Sequence, residues 1–343
     1  MPTTFSSPED FRDALANLPR ANAVLELKAK RRQAELTKPP GSLGRLEQIA
    51  IHLAGWHADG IPRAERIKVV VFAGNHGVTA QGVSPYPAAV TAQMVANFET
   101  GGAAINAITG SLGLQLEVIP LQLGSPTADI TRAPAMSDAE TLEALNAGAR
   151  SVEDSLDLLI LGEMGIGNTT IAAALCAGSL GEAGANWVGP GTGHDAAGIA
   201  RKAAAVEQAI ARARPETLAS SFAVLSHLGG RETAAIAGAI VTARRKRIPV
   251  ILDGYVVTAS LAPLFVQNPA IVEHCIAGHE SAEPAHRKLL QKMQLSPLLD
   301  LGMRLGEGTG AALAAAIVRA AVATHTQMAT FAAAAVENRL DAE

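Results

Sequence analysis

Short apolar runs that alternate with alanine-rich stretches are the feature of this 343-residue sequence that most limits its fold. The apolar runs predict strands at residues 67–72, 116–121, 158–161, 222–225, 249–252 and 271–276. The alanine-rich stretches predict helices at residues 169–176, 196–214 and 232–245. Strands that are apolar along their whole length, with helices between them, are typical of a mainly parallel sheet covered by helices on both faces. We therefore predict an α/β fold.

Both ends of the chain are predicted to be helical, and the strands fall between them. Ser7 is the expected N-cap of a first helix and Pro8 its first residue. The two prolines within residues 38–41 must interrupt the helical N-terminal region. We predict a small helical domain from residues 1–65 with 290–343, and an α/β domain from residues 66–289.

Composition excludes several classes of function. Net charge is −4 and aromatic residues make up 3%, so a basic stripe or a stacking platform for nucleic acid is not expected. The most apolar stretch, residues 311–323, contains Arg319 and is shorter than the ~20 residues that span a bilayer. The N-terminus carries acids where a signal peptide needs bases. Cys176 and Cys275 are the only cysteines, which indicates a reducing cytoplasm.

Polar motifs rich in glycine follow five of the predicted strands. They occupy residues 73–77, 162–170, 226–232, 253–255 and 278–281. In an open parallel sheet, ligands bind beyond the carboxyl ends of the strands. We therefore expect these motifs to meet in one substrate cleft.

Two of the glycine loops precede predicted helices. A turn of this kind directs backbone N–H groups at an anion, although it is also a common capped turn. The first loop contains Gly165, Ile166, Gly167, Asn168 and Thr169, and the second contains Gly191 and Thr192. Lys202 follows about two turns into the next helix, where it is either a charge for a phosphate or a solvated surface lysine.

Histidines near these loops raise the alternative of a metal centre. They are His76, His194, His227, His279 and His286. No pair has the His-Glu-x-x-His spacing of a zinc site, and acids nearby are few. We therefore predict hydrogen-bonding roles for the histidines and no metal.

Glu307 has an unusual setting, between two glycines and just before an apolar helix. Burial there would raise its pKa towards neutrality, as suits a general base. The alternative is an exposed glutamate in a turn.

Five motifs together resemble the nicotinate-nucleotide–dimethylbenzimidazole phosphoribosyltransferase family. They are residues 38–47, 73–78, 162–170, 189–193 and 304–310, in the family's order and spread over nearly the whole chain. The resemblance implies a Rossmann-like phosphoribosyl-binding domain, a small helical domain from both termini and a cytoplasmic homodimer. It also implies the reaction: nicotinate mononucleotide and 5,6-dimethylbenzimidazole give α-ribazole 5′-phosphate and nicotinate, with inversion at C1′, in cobalamin nucleotide-loop assembly.

The resemblance also assigns roles to residues. Glu307 would be the general base and Glu163 the second acid of the site. Phosphate and ribose would be held by Gly165, Ile166, Gly167, Asn168, Thr169, Gly191, Thr192 and Lys202. The base pocket would contain Ser84, Tyr86, Gln93, Arg304 and Leu305. No cofactor is expected, because nicotinate leaves from a pyridinium that is already activated.

Two other classes of function stay open at this point. One is a metal-dependent hydrolase that uses the loop histidines. The other is a nucleotide-binding or activator protein without catalytic activity.

Overall fold

A five-stranded parallel sheet forms the centre of the computed structural model, which describes residues 4–191 and 193–337. Its strands are β1 Ile67–Ala73, β2 Gln115–Pro120, β3 Leu158–Met164, β4 Val250–Leu252 and β5 Cys275–Ala277. The order across the sheet is β2-β1-β3-β4-β5, and every neighbouring pair is parallel. The predicted α/β fold is therefore confirmed.

Helices occupy most of the remaining chain. The α-helices are α1 Pro8–Ala16, α2 Ala23–Glu35, α3 Arg45–Trp56, α4 Ala89–Glu99, α5 Ala104–Leu112, α6 Asp138–Ser151, α7 Asn168–Leu180, α8 Ala196–Ala213, α9 Ser221–Leu228, α10 Arg231–Arg245, α11 Tyr255–Ala259, α12 Ala262–Gln267, α13 Pro284–Lys292, α14 Thr309–Gln327 and α15 Phe331–Ala334. Short 3₁₀ helices lie at Gly77–Gln81, Gly184–Asn186, Pro215–Leu218 and Pro269–His274. Within the described ranges, none of the helices has the length and apolar character that a membrane crossing requires.

Side chains along the strands alternate between two apolar layers, because successive residues of a strand point to opposite faces. Val70 and Phe72 of β1 pack in one layer with α7, α10 and α11. Val69 and Val71 pack in the other layer with α3, α5 and α14. Both faces of the sheet are covered, which explains why β1 is buried along its whole length.

The terminal helices contact each other and also the sheet. Helix α3 packs against α2 and α14, while α14 also contacts β3 and β4. Helix α1 lies in the opposite apolar layer, where Phe11 contacts Phe222 edge to face. The division into residues 1–65 with 290–343 and residues 66–289 stays a prediction.

One predicted strand is wrong, and another is wrong in its first four residues. Residues 222–225 lie in α9, which begins where the Ser220 hydroxyl accepts a hydrogen bond from the Ala223 N–H at 3.2 Å. Residues 271–274 belong to a 3₁₀ helix that follows Asn268 and Pro269, so β5 is reduced to Cys275–Ala277. A short apolar run suits a buried helix as well as a buried strand, and here the capping residues favour the helix.

The predicted helix start and helix break near the N-terminus are confirmed. The Ser7 hydroxyl accepts a hydrogen bond from the Asp10 N–H at 3.2 Å, and Pro8 is the first residue of α1. Helix α2 ends at Glu35 and α3 begins at Arg45, so the prolines of residues 38–41 lie between helices.

Candidate active site

The loops that follow β3, β4 and β5 meet in one open cleft. Its wall contains residues 163–169 at and beyond the end of β3, residues 254–256 after β4, and His279, Ser281 and Glu283 after β5. The rest of the lining comes from other parts of the chain: residues 83–85, Gly191, His194, Lys202 and residues 304–306. The expected convergence at the carboxyl edge of the sheet is confirmed for these motifs.

The motifs at residues 73–77 and 226–232 lie behind the cleft wall. Nε2 of His76 is 2.8 Å from Oε1 of Glu232, and both side chains are fully buried. A Cβ on Gly165 would lie 3.0 Å from the same His76 nitrogen. The His76–Glu232 pair therefore supports the glycine turn from behind. Glu232, the member of this pair from motif 226–232, lies in the first turn of α10, and a helix rather than a strand precedes the motif.

The turn between β3 and α7 has the geometry of an anion site. Gly167 has φ +91°, which favours glycine, and the next residue, Asn168, begins α7. The first N–H groups of a helix point out of its N-terminus, towards an anion. The Ile166 N–H already donates to the Thr91 hydroxyl at 3.1 Å.

Lys202 extends from α8 into this anion site and is buried, so the surface alternative is wrong. Its Nζ donates to Oγ1 of Thr169 at 3.0 Å and to the Gly189 carbonyl at 3.1 Å. Burial lowers the pKa of Lys202, while the nearby Glu283 carboxyl opposes that shift. A phosphate bound here would gain a desolvated cation. Thr192, which the resemblance assigns to the same subsite, lies outside the described residues.

Glu163 ends the apolar part of β3 and turns its carboxyl group into the cleft wall. Burial raises the pKa of Glu163 well above its ordinary value. Three neighbouring acids add to this increase: Asp253, Glu232 and Glu307. The Asn168 side-chain amide donates a hydrogen bond to the Glu163 carboxyl group, which opposes the increase.

Glu307 is held behind the cleft wall in a backbone conformation that is uncommon for residues other than glycine. Its φ is +62°, between Gly306 at +85° and Gly308 at +83°. Burial raises the pKa of Glu307, and the negative charge of Asp253 raises it further. The Ile105 N–H at the start of α5 donates a hydrogen bond to the Glu307 carboxyl group, which lowers the pKa. Oε2 of Glu307 is buried without a hydrogen-bond partner. The exposed-turn alternative is therefore wrong.

Asp253 is a site residue that the sequence assignment did not include. Its carboxylate accepts hydrogen bonds from the N–H groups of Gly308 at 3.2 Å and Ala311 at 2.9 Å. These bonds secure the N-terminus of α14, and with it the backbone on the C-terminal side of Glu307. The available signal was an aspartate directly after an apolar strand, in the motif at residues 253–255.

The residues assigned to the base pocket are only partly brought together. Ser84, Arg304 and Leu305 line the cleft, and Arg304 Nη1 donates to the Gly191 carbonyl at 3.0 Å. Tyr86 is half-exposed outside the lining, and Gln93 lies on the exposed side of α4. The pocket assignments of Tyr86 and Gln93 stay predictions.

The histidines are distributed among separate contacts. His286 accepts from the Ser281 N–H at 3.0 Å and contacts Thr258 Oγ1 at 3.0 Å, and burial lowers its pKa to about 3. His279 Nε2 lies 3.5 Å from Asp253 Oδ1. Among residues 4–191 and 193–337, no group of three or more histidines, cysteines or acids has an arrangement that could hold a metal ion.

Comparisons with known proteins show the family of this chain. A family model described as phosphoribosyltransferase matches residues 18–336. Nicotinate-nucleotide–dimethylbenzimidazole phosphoribosyltransferase of Novosphingobium aromaticivorans is 57% identical over 338 residues, which are 98% of this chain and 99% of that protein. The protein of the same name from Rhizobium meliloti is 53% identical over 331 residues, or 96% and 97% of the two chains.

Comparison with solved structures leads to the same family. The crystal structure of CobT from Thermus thermophilus superposes with a TM-score of 0.86 at 40% identity, covering 92% of this chain and all of that one. The fold and the family model define the protein as an α/β phosphoribosyltransferase. More narrowly, the chain belongs to the family of nicotinate-nucleotide–dimethylbenzimidazole phosphoribosyltransferases.

Proposed function

We propose that this enzyme transfers the 5-phosphoribosyl group of nicotinate mononucleotide to 5,6-dimethylbenzimidazole, in cobalamin nucleotide-loop assembly. The products are α-ribazole 5′-phosphate and nicotinate. The observation that carries the proposal is Glu307, a buried carboxyl group with one oxygen that lacks a hydrogen-bond partner, next in sequence to residues 304–306 of the cleft wall. The names of the relatives supply the two substrates.

The donor phosphate would bind at the start of α7. The proposed ligands of this phosphate are backbone groups of two glycine loops: Gly165, Ile166, Gly167, Asn168 and Thr169 in the first, and Gly191 and Thr192 in the second. The buried Lys202 supports this placement because it supplies positive charge on the same side of the cleft. The Ile166 N–H would have to exchange its Thr91 hydroxyl partner for phosphate, so its contribution is the smallest of the set.

The acceptor base would lie between the loop at residues 83–85 and Leu305. Ser84 and Leu305 already line the cleft there, and Leu305 exposes about half of its surface, 52%. A flat apolar ring would cover that surface. We infer that Tyr86 and Gln93 join the pocket when the base binds, through a movement of the loop that carries Ser84.

The chemical step needs one proton acceptor and accurate alignment. One benzimidazole nitrogen attacks C1′ from the face opposite nicotinate, so the configuration at C1′ inverts. The bond from C1′ to the pyridinium nitrogen breaks, and its electron pair leaves with nicotinate. Glu307 takes the proton from the other benzimidazole nitrogen. Glu163 would lie beside the ribosyl group. In its ionised form, the Glu163 carboxylate would stabilise the positive charge that develops at C1′.

The donor also explains why we propose a reaction without metal or cofactor. Nicotinate departs as a neutral ring from a positively charged one, so no diphosphate charge has to be neutralised. The enzyme contributes alignment and exclusion of water. We further propose a cytoplasmic homodimer with a separate helical domain formed by residues 1–65 and 290–343. The buried free thiols of Cys176 and Cys275 are compatible with a reducing compartment.

The decisive experiment is a reaction of the purified protein with both substrates. We expect nicotinate and α-ribazole 5′-phosphate in equal amounts, with neither formed when dimethylbenzimidazole is left out, and the α configuration in the NMR spectrum of the product. Full activity in excess chelator is expected, and it would exclude a metal-dependent hydrolase. Binding of nicotinate mononucleotide without either product would instead support the non-catalytic alternative and overturn the proposal.

A further inference from the structure

Glu283 is a buried acid in the wall of the proposed phosphate subsite, and neither the resemblance nor the proposed mechanism gives it a role. Only 5% of its surface is exposed. It follows β5 and precedes α13, yet its side chain does not cap that helix. The carboxyl group instead turns towards the glycine loop that contains Gly189 and Gly191, where a Cβ on Gly189 would lie 2.2 Å from Oε2.

The same groups that face Glu283 are those proposed to hold phosphate. The Gly191 N–H points at its carboxyl group, and the charges of Lys202 and Arg304 act on it. However, neither carboxyl oxygen of Glu283 has a hydrogen-bond partner of normal geometry in the described part of the chain. The other titratable groups in the cleft lining are Tyr255 on α11, His194, His279 after β5 and Glu163 at the end of β3. Glu283 is thus a desolvated acid whose carboxyl group is only partly compensated by its neighbours.

We propose that Glu283 couples phosphate binding to proton uptake. In the free enzyme, its carboxylate partly balances the charge of Lys202 beside the 189–191 loop. A phosphate dianion competes for the same N–H group and the same cation, so a second anion in this dry site is strongly disfavoured. When phosphate binds, a proton from solvent is transferred to the Glu283 carboxylate, and the neutral acid can then donate a hydrogen bond to a phosphate oxygen. This inference rests on the proposed phosphate subsite.

The direction of the pH effect follows from linkage. Burial already raises the pKa of Glu283 in the free enzyme, and bound phosphate would raise it further. Phosphate affinity is therefore highest where Glu283 is protonated before binding. Affinity falls as pH rises between the free and the bound pKa, by about tenfold for each unit of separation, and is constant above both. The second ionisation of the phosphate ester, near pH ~6, acts in the opposite direction.

Calorimetric titration of the full-length enzyme with nicotinate mononucleotide tests the proposal. Titrations at one pH near 7.5 in buffers of different ionisation heat measure the protons taken up on binding. We expect Glu283→Gln to take up fewer protons than the wild type, by up to one per site, and to bind roughly tenfold more tightly. Glu280→Gln is the matched control, because Glu280 lies three residues away and pairs with Arg287 at the surface.

Three outcomes would overturn the inference. They are equal proton uptake by the wild type and the Glu283→Gln variant, weaker binding by that variant, and no proton dependence in the wild type. The last measurement needs no variant, so it decides even if the substitution impairs folding. Inorganic phosphate is titrated in parallel. If inorganic phosphate binds with the expected proton uptake while nicotinate mononucleotide does not bind, the proposed substrate is wrong but the coupling stands. If neither ligand binds, the proposed substrate and the proposed coupling are both wrong.

Discussion

The backbone N–H of Glu307 donates a hydrogen bond of 3.2 Å to the carbonyl oxygen of Glu163. The two acids of the proposed active site are therefore joined through the main chain, although 144 positions, 307 minus 163, separate them in the sequence. Asp253 secures the other side of Glu307 through the Gly308 N–H. The position of each acid consequently depends on the backbone around the other.

Glu307→Gln should remove the general base while leaving the shape of the site unchanged. We expect kcat to fall on the order of 10²–10⁴-fold, with little change in either KM, because glutamine fills the same space but accepts no proton at neutral pH. Burial raises the pKa of Glu307, so the acid limb of the wild-type kcat profile should lie above ~4.3, the ordinary pKa of glutamate. The variant should lack that limb.

Steady-state kinetics from acid to neutral pH measures both effects. Glu35→Gln is the matched control, since Glu35 is exposed at the end of α2. An unchanged kcat in Glu307→Gln would remove the residue from the role of base. A loss confined to KM would assign it to binding.

Glu163→Gln should stabilise the protein and impair catalysis. The pKa of Glu163 is raised in the folded state, so the folded protein binds this proton more tightly than the unfolded chain. Stability is therefore lost as pH rises from the unfolded pKa, ~4.3, towards the higher folded pKa. Replacing the acid should raise the unfolding free energy at pH ~8 on the order of 1 kcal/mol, and the gain should shrink as pH falls towards ~4.

Thermal unfolding of the variant and the wild type at several pH values checks this expectation. A stabilisation that is the same at every pH would show that the ionisation of Glu163 is not its cause. Reduced kcat together with the gain in stability is expected, because an acid that destabilises the fold and lines the cleft is typical of an active site.

Several features of the fold and site could be predicted from local sequence, and others could not. Strand β1 was predictable because its apolar run is continuous, as burial on both faces requires. Residues 222–225 were not, since an apolar run of four residues fits a helix equally well and packing around α9 decides between them. For Lys202, spacing left a surface and a buried position open, because only the tertiary fold brings α8 against the Gly189 carbonyl.

Asp253→Ala should weaken both the fold and the catalytic loop. Two buried N–H groups, those of Gly308 and Ala311, would lose their acceptor. Each buried donor without a partner costs about 1–3 kcal/mol, so we expect a clear loss of unfolding free energy. We also expect a lower kcat, because the N-terminus of α14 no longer secures Glu307. Chemical denaturation and kinetics measure the two effects.

A matched control for this variant is Asp154→Ala. Asp154 pairs with Lys246 at the surface, and 87% of its side chain is exposed. Its removal should leave kcat unchanged. If Asp253→Ala keeps both normal stability and normal kcat, the proposed anchoring of the Glu307 loop is incorrect.

Gly162→Ala should displace Glu307 without touching a catalytic side chain. A Cβ at residue 162 would lie 2.6 Å from the Glu307 carbonyl carbon and from the Gly308 nitrogen, and these backbone atoms cannot rotate away as a flexible side chain could. The loop must move, and a shift on the order of 1 Å can lower turnover about 10²-fold. We therefore expect a large fall in kcat, with substrate binding affected less. Gly124→Ala, where nothing lies within 4 Å of the new Cβ, is the control for the glycine-to-alanine change and should retain activity. Normal turnover in Gly162→Ala would show that the reaction tolerates movement of Glu307, which is incompatible with its proposed role as an aligned base.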